Sequence, residues 1–527
     1  MSWSRERSTA RILEFLKSTP HTSISLRQFD QASLNARRAA IAKAKAEYRQ
    51  EELIFNVGRN EAILVEGVHI YVQLLDYHDA VAEQGRETEG AHRKLLRLLH
   101  THYSGSDFVA EDFEAQRVDY HGPRMHAVIV TPIGPEFAFE RARRAYAFAE
   151  TLKRTIEGAS NVQELGVGTM RVRIGMDSGP AVAVNSGRGS EQEPLFLGNP
   201  ANYAAKLADG DEPGIFMSNR VREQLQQRTV GTILGDNFTE EKRTNVLGNL
   251  MLDGPGQPRL TVGLPDLAGV TQRAWERMQA NAKSTSANPS FVFHQHTPPL
   301  RSIKFVDLAP ANSIRMDMVS LFADIDGFTR YVGQSIQSGQ IQQMVSNLHV
   351  LRAELAASLR DDFHGRKVRF IGDCIHGLVA EGTSVEVNKA DTTRQAILAA
   401  GGLRSSFENC KRILQGVEAL GLAIGLDIGA TPVTRLGLRG DRSVRCATSK
   451  AVTLSEKLQA LCNGKQTAVS QAFYDASNQS VKNLFTAGGI VDNLDYDAVA
   501  QMLAPAQVIR RGDESATAKP YTDGSSE

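Results

Sequence analysis

Two halves of this chain repeat one another at a spacing of 250 residues, and no other feature restricts its fold as much. Ile174, Gly175, Asp177 and Gly179 are matched by Ile424, Gly425, Asp427 and Gly429. Gly122 and His126 recur at the same spacing as Gly372 and His376, and Lys206 recurs one residue later than that spacing as Lys457. Blocks kept in one register mark a tandem duplication. The chain must therefore hold two copies of one fold. Copies packed side by side leave a groove between them, a common place for ligands.

Each copy reads as strand, long helix, short β-hairpin, second long helix, strand. In the second copy, residues 318–325 (MVSLFADI) are apolar and β-branched enough for a strand. The spacing of Ile341, Met344, Val345, Leu348, Leu351 and Leu355 predicts a helix over 340–360. KVRFIGD and CIHGLVA read as two strands about a tight Gly-Asp turn, residues 391–419 as a helix, and GLAIGLDIGATPV as a strand. That order fits a ferredoxin-like α+β unit. The expected divisions are an N-terminal helical segment over 1–55, a first domain over 56–275, a linker over 276–314, a second domain over 315–480 and a tail over 481–527. Residues 30–52 read as a solvated helix, 281–300 as the polar, proline-bearing part of the linker, and the end from Arg510 as disordered.

Composition narrows the class of protein. With 41% hydrophobic residues, each half can build a core unaided. Lys plus Arg equals Asp plus Glu at 60 each, so no global charge points to nucleic acid or to a membrane surface. Cys374, Cys410, Cys446 and Cys462 form no CxxC pair and read as reduced thiols. No stretch approaches the roughly 18 apolar residues that span a bilayer, and the N-terminus lacks the apolar run of a signal peptide. The expectation is a cytoplasmic protein without direct membrane insertion.

The chemistry lies in LFADIDGFTR (321–330) and RFIGDC (369–374). Asp324 falls at the end of a buried strand and Asp373 in a hairpin turn, and a ferredoxin-like unit can bring the two together. Carboxylates so placed repel each other unless a cation lies between them. Magnesium favours a few carboxylates with water and substrate phosphate. FADIDGFT followed by FIGD resembles the class III adenylate and guanylate cyclases, over 60–230 and 315–475. The resemblance implies two tandem class III cyclase domains forming a pseudo-heterodimer. It implies that Asp324, Ile325 and Asp373 hold two Mg²⁺ or Mn²⁺ ions, and that the backbone around Ile325, Gly327, Phe328 and Thr329 cradles a nucleoside triphosphate. The ribose 3′-hydroxyl would then attack the α-phosphorus and release pyrophosphate.

The first copy lacks these groups. Pro123 stands where the second has Asp373, and ILVEGVHIY offers Glu66 as the only acid near the place of Asp324. It keeps GNPANYAAKL, which resembles the family segment Gly-x-x-x-Asn-x-x-x-Arg. By that resemblance Asn202 orients the ribose, and Lys206, where Arg is usual, stabilises charge on the α-phosphate. The second copy has Thr453 in the Asn place. The halves are complementary, which predicts one composite site and one degenerate site.

By the same resemblance the base is read at Asp119, where adenylate cyclases place Lys and guanylate cyclases Glu, and at Leu195. An Asp accepts N–H donors, which leaves guanine, uracil N3–H and the cytosine amino group open. Tyr71, Tyr120 and Phe196 are candidates to stack on the base. Loss of the purine pattern at both positions resembles the bacterial pyrimidine cyclases of the Pycsar antiphage systems. That implies cyclic UMP or cyclic CMP as messenger, with UTP preferred for the match of Asp119 to the uracil imide, and a separate effector protein. Lys465 is a candidate for the triphosphate tail. A homodimer is compatible with the sequence, as are a purine cyclase and a nucleotide sensor without turnover.

Overall fold

The computed structural model describes residues 3–46, 57–81, 86–186, 193–229, 264–284, 291–485 and 489–504. The chain begins with α1 (Arg5–Ser18), β1 (Ser25–Gln28) and α2 (Gln31–Ala46). The first domain continues with β2 (Glu61–Leu74), α3 (Glu89–Asp112), the hairpin β3 (Gln116–His121) and β4 (Arg124–Ile129), α4 (Ala138–Gly158) and β5 (Val172–Asn185). It closes with β6 (Pro194–Leu197), α5 (Asn199–Ala208), β7 (Gly214–Met217) and α6 (Leu267–Ser284).

The second domain repeats that order. After β8 (Phe293–His294) come β9 (Ser313–Asp326), α7 (Phe328–Gln337), α8 (Ile341–Ala357), β10 (Arg366–Ile371), β11 (Cys374–Val379), α9 (Lys389–Ile413) and β12 (Gly421–Leu436). It ends with β13 (Val444–Ala447), α10 (Lys450–Leu461), β14 (Gln466–Val469), β15 (Ile490–Asp492) and α11 (Tyr496–Leu503).

The central sheets run β3-β4-β2-β5 and β10-β11-β9-β12, the ferredoxin-like order expected from the sequence. The duplication extends to irregularities. A β-bulge interrupts the first hairpin between Arg117 and Asp119 and the second between Lys367 and Arg369, positions 250 apart. On the first strands, Tyr71 lies opposite Gly175 and His126, and Phe322 lies opposite Gly425 and His376. The two strands therefore correspond at a spacing of 251.

The domains exchange apolar side chains. Val182, Val184 and Leu197, at the ends of β5 and β6, are buried in the core of the second domain. Leu436, Val444 and Cys446, from the matching region of β12 and β13, are buried in the core of the first. Each core thus includes surface that only the other half covers, so the apolar effect holds the halves together.

The boundaries differ from the expected ones. The N-terminal segment is stitched to both domains: α1 packs on α8 and α9 while β1 runs parallel to β2. Arg11 pairs with Glu354 and Asp362, and the Trp3 indole N–H donates to Ser406. Helix α6 runs through the expected start of the linker and seats Trp275 against Gly158, its indole N–H donating to the Thr155 carbonyl. Beyond it, Phe291, Leu300, Ile303, Phe305 and Leu308 are buried, and β8 pairs with β9. Prolines broke the periodicity there but did not prevent burial. In the expected tail, β15 extends the second sheet and α11 packs on α9. The segment from Arg510, the stretch 285–290 and the end of the 30–52 helix lie outside the described residues. Among the described residues, no helix is long and apolar enough to cross a membrane.

Candidate active site

The groove between the domains holds a cavity of about 250 Å³. Asp119, Leu195 and Asn202 line it from the first domain, and Phe328, Thr329 and Asp373 from the second. These six come from both halves of the sequence. The contact that joins them is direct: the Asn202 side-chain amide donates to the Thr329 hydroxyl at 3.1 Å.

Each wall follows from local structure. Gly327 sits at φ +83°, which only a residue without Cβ adopts at little cost, and turns β9 into α7. Phe328 and Thr329 then occupy the first turn of α7, whose free N–H groups suit an anion. Asp324 lies next to the end of β9, and Asp373 follows Gly372 at the tip of the β10–β11 hairpin. Burial and the neighbouring Asp326 push the Asp324 carboxyl up to about 6. Burial and Asp324 likewise push Asp373 well above the usual carboxylate range, against the Ile325 backbone N–H and Arg352, which pull it down. Mutual repulsion of this kind is what a divalent cation relieves. Among the described residues no group of three or more His, Cys, Asp or Glu side chains gathers to hold a metal. Two carboxylates suffice for Mg²⁺ when substrate phosphate completes its shell, so the donor set fits. The Asp326 carboxylate is engaged elsewhere, accepting the Gly464 N–H at 2.9 Å.

On the first-domain wall, Tyr71 stacks on His126 with ring centroids 4.3 Å apart, and Phe196 meets His126 edge-on. His126 bonds His69 at 3.1 Å, and burial holds both imidazoles well below their ordinary value, so this wall is uncharged at neutral pH. Asp119 accepts a hydrogen bond from Arg369 at 2.6 Å. Beside it, Glu193 of the first domain is buried among Lys367 (2.7 Å), Arg445 (3.1 Å) and Arg352 (3.4 Å) of the second. Burial alone would raise Glu193, yet the three cations hold it down at about 2.

Some expected residues are placed elsewhere. Asp324 and Gly327 support the cavity without lining it. Lys206 is exposed, its ammonium 5.5 Å from the Tyr203 ring centroid. Lys465 is exposed too and lies outside the cavity wall. Tyr120 is buried in the first domain, its hydroxyl donating to Asp107 and the Tyr103 carbonyl, because its side chain faces α3. Arg352 lines the cavity and Arg369 braces it, and neither was singled out from sequence.

A second cavity of about 720 Å³ confirms the pseudo-symmetry. Gln73, Pro123, Thr453 and Lys457 line it, the counterparts of Asp324, Asp373, Asn202 and Lys206. Strand register thus puts Gln73 in the Asp324 place, not Glu66. Glu66 lies opposite Pro180 toward the other end of β2, 3.8 Å from Arg141. Where the other cavity gathers acids, this one holds a guanidinium: Arg124 donates to the Gln73 side-chain amide oxygen at 2.8 Å and to Glu456 at 3.3 Å.

Residues 312–491 match the family described as adenylate and guanylate cyclase catalytic domain. A uridylate cyclase from a Rhizobium species is 50% identical over 527 residues, covering 99% of this chain and all of the relative. A uridylate cyclase from Pseudomonas aeruginosa is 36% identical over 471 residues, 87% of each chain. A crystal structure of a class III adenylyl cyclase-like ATP-binding protein from Pseudomonas aeruginosa superposes with a TM-score of 0.79 at 32% identity, covering 96% of this chain and 100% of the other. With two complementary cyclase folds around one groove and full-length relatives of the same kind, the chain belongs to the class III nucleotidyl cyclases.

Proposed function

We propose that this cyclase converts UTP to 3′,5′-cyclic UMP and pyrophosphate in the cytoplasm. The observation that carries the reading is Asp119, an acceptor that lines the cavity together with the stacked rings of Tyr71 and His126. The names of the two full-length relatives support it.

Asp324 and Asp373, with the Ile325 backbone, would hold the two Mg²⁺ or Mn²⁺ ions. Bound ions supply activation of the attacking hydroxyl and neutralisation of the leaving phosphate. The protein's own part is positioning. The first turn of α7 donates to the triphosphate, with Phe328 closing the apolar side. Asn202, braced on Thr329, orients the ribose so that its 3′-oxygen faces the α-phosphorus. A bond forms between those atoms, the bond to the β-phosphate oxygen breaks, and the hydroxyl proton leaves to solvent. Lys206 lies one turn beyond Asn202, and its flexible stem lets the ammonium swing from Tyr203 toward the α-phosphate. Asp119 accepts the uracil N3–H while Leu195 packs on the ring. A separate effector responding to the cyclic nucleotide, as the Pycsar resemblance implies, would complete an antiviral signal.

The structural relative described as ATP-binding motivates an adenine alternative. The test is to incubate the full chain with Mn²⁺ and each of the four NTPs and to identify products by mass. Cyclic UMP that disappears in Asp324→Asn is expected. Cyclic AMP or cyclic GMP as the sole product would overturn the reading.

A further inference from the structure

We infer that Arg369 is a positioning residue for base recognition, supplied to the base-reading site by the metal-binding half. The inference rests on the UTP reading above and extends it across the domain interface.

Arg369 is 6% exposed and Asp119 38% exposed, and their atoms meet at 2.6 Å. Asp119 lines the cavity and Arg369 does not, so the guanidinium can act on a nucleotide only through the carboxylate. The other arm of the guanidinium donates to the Arg445 main-chain carbonyl. Held at two points, the guanidinium is restrained from rotating, and it sets the position of the carboxylate oxygen it grips. Asp119 Oδ1 is then committed to Arg369, which leaves Oδ2 as the acceptor for a ligand. An acceptor in a set direction matches uracil, which offers a ring N–H at N3. It matches cytosine less well, because cytosine N3 is a bare acceptor and its N–H donors sit on the exocyclic amino group. Arg352 also lines the cavity, but it donates to Ser186 and Glu193.

The two residues occupy the same place in the duplicated fold. Both follow the hairpin bulge, and they lie opposite His126 and His376 respectively. The position that reads the base in one half thus braces the reader from the other half.

The test is steady-state kinetics of the full chain with UTP and CTP for wild type, Asp119→Asn, Arg369→Met, Arg369→Lys and the double variant Asp119→Asn/Arg369→Met. Breaking a part-buried charge pair that orients a ligand contact should raise KM for UTP roughly tenfold or more. It should lower the UTP-over-CTP preference while kcat changes much less. The double variant should be no worse than the poorer single one, because the two residues act as a unit. Arg369→Lys keeps the charge without the fork and should fall between wild type and Arg369→Met. If Arg369→Met does not fold, as read by circular dichroism, Arg369→Lys carries the test alone. An unchanged KM and preference in the folded Arg369 variant, or additive losses in the double variant, would overturn the proposal. A wild type that turns over CTP or a purine in preference to UTP would overturn the UTP reading instead. The coupling of Arg369 to Asp119 would still be read from KM for that nucleotide.

Discussion

Replacing Glu193 by Gln tests how the two domains are held beside the base pocket. The side chain is 5% exposed and meets three cations of the opposite domain. Its carboxyl is held at about 2 against an ordinary 4.5, a gap that corresponds to about 3 kcal/mol. Removing one partner from a buried ion pair costs about 3–5 kcal/mol, because the charges left behind are uncompensated. The two figures agree, so Glu193→Gln should lower stability at pH 7 by about 3 kcal/mol, read as a lower midpoint in urea at unchanged slope. The sign with pH follows from the lowered carboxyl. Its stabilisation is fully present above 4.5 and is lost as pH falls toward 2, so the gap between wild type and variant should shrink to roughly half by pH 3. A loss below about 1 kcal/mol at pH 7, or a gap that does not narrow with acid, would refute the reasoning.

Three further outcomes are expected. Mn²⁺ with 3′-deoxy-UTP, which lacks the attacking hydroxyl, should stabilise the wild type by about 2.7 kcal/mol at one hundred times the dissociation constant. In a thermal melt Asp324→Asn should show little of that shift. Lys206→Ala should lower kcat about tenfold or more with KM little changed, the pattern of a contact made only in the transition state; a change confined to KM would count against it. Calorimetric titration with the same analogue should give one nucleotide per chain, because Gln73 and Pro123, with the Arg124 guanidinium beside Gln73, stand in place of the acidic pair in the second cavity. Two equivalent sites would contradict that account.

The duplication and its strand–helix–hairpin–helix–strand order were legible because they rest on local periodicity and on glycines at fixed turns. Asp373 and Gly327 belong to that class, being tied to a hairpin tip and a strand-to-helix turn. Glu66 is the nearest acid by sequence, yet it lies 258 residues before Asp324, and only cross-strand pairing, which aligns the first strands at 251, shows that Gln73 holds that place. Arg369 and Glu193 were hidden for another reason. Their partners lie about 160 to 250 residues away, and an isolated Arg on a strand or Glu before a strand carries no local signal of its mate. The boundaries failed where burial lacks a period, as in Leu300, Ile303 and Phe305 between prolines.

The Arg369–Asp119 bond also says something about ancestry. In a symmetric pair of identical subunits, equivalent residues that meet near the axis must be the same residue. Two arginines or two aspartates facing each other there would repel. An acid gripping a base at one shared position is open only to copies that can drift apart. The bond therefore dates itself after the duplication, and two identical chains could not hold it.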